Sequence, residues 1–270
     1  LSKLGFKVEP KTLAPIAKLK KLLDDVPPSR MFDEMLKLVQ TGHSQASIDT
    51  LKTLGLERGI YPLLDVIVER AHQPMVQGMF ADTDARVQAG KGVAPSYLFA
   101  CVLWQDVLDG WKARREGLTI GKQKFDKIPT FPALAQSVDA AFEERIGDVS
   151  GRGKLGADMR EIWMMQPRFE KRVGCSPFTL VEHLRFRAGF DFLCLRSRSD
   201  SEEGLDYLKE LADWWEEFQF ADHEGRLAMI EAVKKQPKLT GEAGAAKKAR
   251  PKRKRKPRVI HGDIVPSAGV

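Results

Sequence analysis

The densest group of charged side chains lies near the end of the chain, between Lys247 and Arg258. Nine of these twelve residues are lysine or arginine, and none is aromatic. Such a run neutralises phosphates and gains affinity from released counterions, but it does not read bases. We therefore expect nucleic-acid contact here, with a solvated or membrane-surface tail as the alternative. The expected contacts are Lys247, Lys248, Arg250, Lys252, Arg253, Lys254, Arg255, Lys256 and Arg258.

A second group of cations lies between His183 and Arg198, in the sequence HLRFRAGFDFLCLRSR. Arginines on a helix pair with nearby acids such as Glu182 and Asp191, and they also bind phosphate well. The sequence leaves these two roles open. The pattern predicts a cationic flank of Arg185, Arg187, Arg196 and Arg198 beside a core-like face of Leu184, Phe186, Phe190, Leu193 and Leu195.

The pair Asp82 and Asp84 forms a D-x-D motif, which holds divalent metals in nucleotidyl transfer. That chemistry needs a rigid strand and a phosphate-binding glycine turn, and neither precedes the motif here. We expect Thr83 and Asp84 to cap the start of a helix instead. The histidines at 43, 72, 183, 223 and 261 lack metal-ligand spacing. We therefore predict no metal site and no catalytic residue in the chain.

Composition narrows the function classes further. Ten basic and two acidic residues fall in 236–270, whereas 34 basic and 35 acidic residues precede them. A balanced globular part with a cationic arm is typical of a protein with a polyanionic partner. Cys101, Cys175 and Cys194 are widely spaced and odd in number, which indicates a reducing compartment. The sequence has no apolar run of membrane-spanning length, so we expect a cytoplasmic protein without a membrane partner.

The stretch from Pro27 to His43 contains a complete helix signal. A diproline and Ser29 predict the start, and Gly42 predicts the end. The polar face pairs Asp33 with Lys37, four residues apart. The residues expected on the apolar face are Met31, Phe32, Met35, Leu36, Leu38 and Val39.

Helical periodicity continues on both sides of this stretch, and no convincing strand or hairpin is found. We predict an all-α protein with a mobile connection over 110–132 and a flexible loop over 148–154. A helix from Pro10 is expected to bury Leu13, Ile16, Leu19, Leu22 and Leu23, and Ser44 to cap the third helix. The predicted segments are 1–8, the end of a preceding segment; 9–72, a helical module; 73–235, a helical body; and 236–270, a tail disordered when free.

Seven stretches follow one another along the chain: LSKLGFKV, LLDDVP, PPSRMFDEMLKLVQTGH, ADTDARV with Asp84 and Arg86, APSYLFACVLW, HLRFRAGFDFLCLR and WWEEFQ. Taken in this order, they resemble the bacterial poly(A) polymerases, relatives of the tRNA CCA-adding enzymes. The similarity covers nearly the whole chain except 112–157. A basic, proline-punctuated end favours the poly(A) branch, with a CCA-adding fragment as the alternative.

The resemblance implies a helical neck over 9–72, a body over 73–235 and an RNA-binding role. Arg30 and Lys37 on the neck helix join the expected RNA contacts. The family's catalytic head has no counterpart here, so Mg²⁺, ATP and AMP transfer are implied for a missing head and the fragment alone is expected to be inactive. Implied partners are RNA 3′ ends, with RNA-decay or helicase proteins as further candidates. The competing hypothesis is a non-catalytic helical module whose basic arm binds a protein or an anionic membrane.

Overall fold

Helices follow one another along the chain and confirm the all-α class. The computed structural model describes residues 1–121, 123–145, 153–199 and 205–235. The helices are α1 (Pro10–Leu13), α2 (Ile16–Leu19), a 3-10 helix (Lys20–Asp25), α3 (Pro28–Val39), α4 (Ser44–Thr53), α5 (Pro62–Arg70), α6 (Pro74–Gln88), α7 (Pro95–Val102), α8 (Trp104–Glu116), α9 (Thr130–Arg145), α10 (Lys154–Phe169), α11 (Ser176–Val181), α12 (Phe186–Ser199), α13 (Leu205–Phe220) and α14 (His223–Lys235).

The predicted helix from Pro10 is broken into α1, α2 and the 3-10 helix. Pro15 stands between α1 and α2, and a proline inside a helix removes an amide donor and clashes with the preceding turn. The predicted buried face is therefore wrong in part. Leu13, Leu19 and Leu22 are 37%, 53% and 62% exposed.

Helix α3 forms where the sequence predicts it, but its start differs in detail. Pro27 is the N-cap and Pro28 the first helical residue, so Ser29 lies inside the helix and does not cap it. The apolar face is confirmed, since Met35 and Val39 are buried and the other four apolar residues pack against the core. Gly42 follows with a φ of +78°, a conformation that glycine adopts with little strain and that other residues rarely adopt.

Two hydrophobic clusters hold the helices together. The larger cluster extends from Met35 on α3 to Leu195 on α12, so it crosses the boundary predicted at residue 72. Helix α7 is buried along its whole length after Pro95. The smaller cluster gathers α10 to α14 around Trp215. The division into neck and body stays a prediction, and Leu1–Lys234 form one compact unit.

Helix α12 contributes side chains to both clusters. Phe192 and Leu195 belong to the larger one, whereas Phe186, Phe190 and Leu193 belong to the smaller one. These five side chains are buried, apart from a 6% exposed fraction at Phe186 and 4% at Phe190. The predicted core-like face of this segment is therefore confirmed, with one residue excepted below.

Two glycines let α12 lie close to its neighbours. A Cβ placed on Gly189 of α12 would come within 2.4 Å of the Met165 sulfur on α10. A Cβ on Gly78 of α6 would come within 2.7 Å of a Leu195 methyl group on α12. Both distances are shorter than van der Waals contact, so a side chain at either glycine would require the Met165 or the Leu195 side chain to move.

The connection predicted over 110–132 is more ordered than expected. Helix α8 continues to Glu116, and Gly117 ends it with a φ of +71°. A short antiparallel hairpin follows, with strands β1 (Thr119–Ile120) and β2 (Gln123–Lys124).

Helix α14 was not predicted at all. The predicted flexible loop at 148–154 and the predicted tail lie mostly outside the described residues, apart from 153 and Lys154.

Candidate nucleic-acid interface

A cavity of about 490 Å³ lies between α6 and α12, next to the segment that leads into α7. It brings together three of the four arginines predicted on α12 and the turn before it, namely Arg185, Arg187 and Arg198. Arg86 on α6 adds a fourth guanidinium group to the lining. Four arginines around one concave surface are the arrangement that binds phosphate groups.

The three predicted arginines differ in how firmly they are held. Arg185 is 27% exposed at its side chain and forms ion pairs with Asp158 and Glu161 of α10. Arg187 is 67% exposed and lies 2.9 Å from Asp191, one helical turn further along. Arg198 is 59% exposed and lies 2.7 Å from Asp82 across the cavity.

Arg86 was not predicted as a site residue, although it lies in the stretch ADTDARV. Its side chain is exposed, and among the described residues it has no ion-pair partner within bonding distance. The signal that could have found it is the helical spacing from Asp82, which places both residues on the same face of α6.

Two carboxylates oppose the four cations. Asp82 and Asp191 line the same cavity, and Asp158 and Glu161 outside the lining pair with Arg185. Burial raises the pKa of the Asp191 carboxyl, and the neighbouring Arg187 acts in the opposite direction. Burial also raises the pKa of the Cys194 thiol to about 11, so this thiol stays protonated at neutral pH and is a poor nucleophile.

Arg196 does not belong to this surface. Its side chain is buried, with its guanidinium 4.7 Å from the centre of the Trp104 ring and 3.1 Å from Gln166 Oε1. The predicted flank is therefore wrong for Arg196, because the helix turns this residue toward α8 and α10. Leu184 is wrong in the opposite sense, since it is 90% exposed and lies at the cavity.

The D-x-D motif lies within α6, and its two carboxylates bond to residues of α4 and α12. Asp84 accepts hydrogen bonds from the Ser44 amide, at 2.8 and 2.9 Å to its two oxygens, and lies 2.7 Å from the Ser44 hydroxyl. Asp84 is thus a cap, as predicted, but for α4. Ser44 is the first residue of α4 and not its N-cap. Thr83 is buried within α6 and caps no helix.

Two further hydrogen bonds join α3 and α4 to the same region. Gln40 donates to the Val93 carbonyl at 2.6 Å, and Gln88 donates to the Gly42 carbonyl at 2.8 Å. Val93 also lines the cavity. The end of α3 is therefore fixed against one wall of the cavity.

The polar face of α3 carries little net positive charge. Arg30 lies at a groove of about 590 Å³ together with Asp25 and Glu34. Lys37 lies 2.9 Å from Glu34 and not beside Asp33 as predicted, and this hydrogen bond lowers the pKa of Glu34. Arg30 and Lys37 do not line the arginine cavity, and their RNA contact stays a prediction.

Metal ligation finds no support in the described ranges. They contain no group of three or more His, Cys, Asp or Glu side chains placed to hold an ion.

No described helix is long and apolar enough to cross a membrane. The predicted contacts from Lys247 to Arg258 lie outside the described residues.

Comparison with known families decides between the two branches of the resemblance. Residues 126–258 match the family model described as "Polymerase A arginine-rich C-terminus". Residues 5–67 match the one described as "Probable RNA and SrmB- binding site of polymerase A". The chain belongs to the poly(A) polymerase family. The arginines of α12 fall within the first match, and Arg30 and Lys37 within the second.

Individual poly(A) polymerases show the same extent of similarity. Poly(A) polymerase I of Escherichia coli O6:H1 is 29% identical over 258 residues, which are 93% of this chain and 53% of that protein. The Salmonella typhi enzyme of the same name is 30% identical over 261 residues, 95% of this chain and 52% of that protein. The Haemophilus influenzae enzyme is 30% identical over 235 residues, which are 86% of this chain and 49% of that protein. The chain thus spans about half the length of these relatives.

The cap on α4 gives a test of how the helices are joined. Asp84→Ala removes the acceptor of the Ser44 amide, so we expect the free energy of unfolding to fall by about 1–2 kcal/mol. Urea unfolding followed by circular dichroism measures it. Asp33→Ala on the exposed face of α3 is the matched control and should leave stability nearly unchanged. Equal losses in the two variants would contradict the capping role.

Proposed function

We propose that this chain is the RNA-holding portion of a poly(A) polymerase. The observation that carries the proposal is the cluster of Arg86, Arg185, Arg187 and Arg198 around one cavity. Guanidinium groups bind phosphate oxygens in a fixed fork geometry, and phosphate oxygens can replace the carboxylates that pair with the exposed Arg187 and Arg198. The family match to an RNA-binding segment over residues 5–67 supports the same conclusion.

In the complete enzyme we propose a role in the transfer of AMP from ATP to RNA 3′ ends. The described residues do not fit a site for the Mg²⁺ that such a reaction uses, since Asp82 pairs with Arg198 and Asp84 holds Ser44. We therefore assign Mg²⁺ and ATP to the catalytic head implied by the family resemblance, and to this chain the holding of the RNA. The predicted cytoplasmic location is retained as part of the proposal.

The cavity arginines can be tested one at a time. Arg187→Ala removes an exposed cation whose partner, Asp191, lines the cavity, so we expect weaker binding of single-stranded oligoadenylate. The slope of log K against log salt should also shrink by about 0.7, the value for one phosphate contact on a single strand. Fluorescence anisotropy with a labelled oligonucleotide at several salt concentrations measures both.

Arg160→Ala is the control for this substitution. Arg160 is also a partly exposed helical arginine in an ion pair, with Asp139, but it lies away from the cavity. We expect its affinity and salt slope to match those of the unaltered protein. The same change in both variants would mean that binding depends on overall charge alone.

The basic tail is proposed as a second RNA contact. Reversing four of its charges, for instance Lys252, Arg253, Lys254 and Arg255 to Glu, should weaken RNA binding and flatten its salt dependence. Folding should be unaffected, as checked by thermal unfolding. Unchanged binding at low salt would rule out the tail as a contact.

A protein partner is the second candidate, favoured by one observation. Residues 5–67 match a family segment described as binding SrmB as well as RNA, and several large apolar side chains there are exposed, among them Phe6, Leu19 and Leu22. We propose that these side chains contact a protein partner. Leu19→Ser with Leu22→Ser should weaken binding of purified SrmB in calorimetry and leave RNA affinity unchanged. Equal SrmB binding would reject the proposal.

A further inference from the structure

The arginine cavity has an apolar wall that phosphate binding alone does not explain. Val93, Ala94 and Tyr97, from the segment leading into α7, line it together with Leu184 and Ala188 near the start of α12. Leu184 is 90% exposed, an unusual position for a leucine beside a concave surface. A ligand that covered this wall would remove apolar area from water, which is favourable.

We propose that the cavity receives one nucleotide, with its base against this apolar wall and its phosphate on the arginines. The inference rests on the proposed function and deepens it. A volume of about 490 Å³ lies within the usual range for small-ligand sites. Bases of a duplex are stacked and paired, so only an unstacked base of a single strand, or a free nucleotide, can enter.

The ion pairs show which arginines receive the phosphate. Arg187 and Arg198 are largely exposed, and their partners Asp191 and Asp82 lie within the cavity itself, so phosphate oxygens can replace these carboxylates. Arg86 is exposed and forms no ion pair among the described residues, although its charge also acts to lower the pKa of Asp191. Arg185 is less exposed and is held from outside the cavity by Asp158 and Glu161, so it keeps these partners when a phosphate binds.

An acidic peptide is the competing ligand for a cationic cavity. Its carboxylates would satisfy the arginines, but its backbone would leave the apolar wall formed by Val93, Ala94 and Leu184 largely uncovered. A nucleotide supplies both a phosphate and a flat, weakly polar base within one small unit. The observed pairing of an arginine side with an apolar side therefore favours the nucleotide.

Filling the cavity without changing its charge tests the inference. Ala85 is an exposed helical alanine in the cavity lining, and Ala228 is an exposed helical alanine on α14 outside it. We expect Ala85→Trp to weaken binding of labelled single-stranded oligoadenylate several-fold and Ala228→Trp to leave it unchanged. Asp191→Asn removes one of the two opposing carboxylates and releases Arg187, so it should strengthen binding.

Calorimetry with AMP, ribose 5-phosphate and inorganic phosphate separates the base from the phosphate. The full chain should bind AMP more tightly than ribose 5-phosphate, and Ala85→Trp should remove that difference. Equal affinities of the two tryptophan variants for the oligonucleotide would overturn the proposal. So would AMP binding no tighter than ribose 5-phosphate, or a glutamate-rich peptide that displaces the oligonucleotide as well as AMP does.

The same measurements distinguish this inference from the proposed function. If the unaltered chain bound AMP but not oligoadenylate, the RNA-holding function would fail, and a cavity for free nucleotides would stand. If Arg187→Ala weakened oligonucleotide binding while Ala85→Trp did not, the RNA-holding function would stand and the nucleotide cavity would fail.

Discussion

The burial of one side of α12 fixes the arginines on its other side. Phe192 and Leu195 pack into the larger hydrophobic cluster, and Phe186, Phe190 and Leu193 into the smaller one. Burying a large apolar side chain stabilises a fold by about 1.5–3 kcal/mol, so rotation of this helix would expose several such contributions at once. Arg187 and Arg198 therefore have a fixed direction toward the cavity, although each side chain is itself mostly exposed.

Helix α6 forms the opposite wall and uses the two carboxylates of its D-x-D motif in different directions. Asp84 binds the start of α4, where the positive end of the helix dipole favours an anion. Asp82 reaches across to Arg198 on α12. A motif that elsewhere holds metals thus joins three helices here. The Asp84 contact is mostly structural, whereas the Asp82 contact is exposed enough to exchange with a ligand.

The fold class and most helices could be predicted because apolar periodicity and proline positions are local signals. The break at Pro15 was a local signal that the prediction overlooked, but the errors at Ser44 and Arg196 arose because distant residues decide. Ser44 looks like a cap in sequence, but Asp84, forty residues away, supplies the carboxylate. Arg196 looks like part of a cationic flank, but its side chain is buried and contacts Trp104 and Gln166. Helical spacing places Arg86 on the same face of α6 as Asp82, but the cavity itself could not be predicted, since it forms only where α6 packs on α12.

The two close glycine contacts of α12 have a consequence for how this protein can vary. Gly78 and Gly189 set the distance from α12 to α6 and to α10 through the side chains that they lack. The Gly78 contact lies between α6 and α12, the two walls of the cavity, whereas the ligand preference of the cavity depends on its exposed arginines. Substitutions at the rim can change what is bound without altering this contact, whereas a methyl group at Gly78 would require the end of the Leu195 side chain to move.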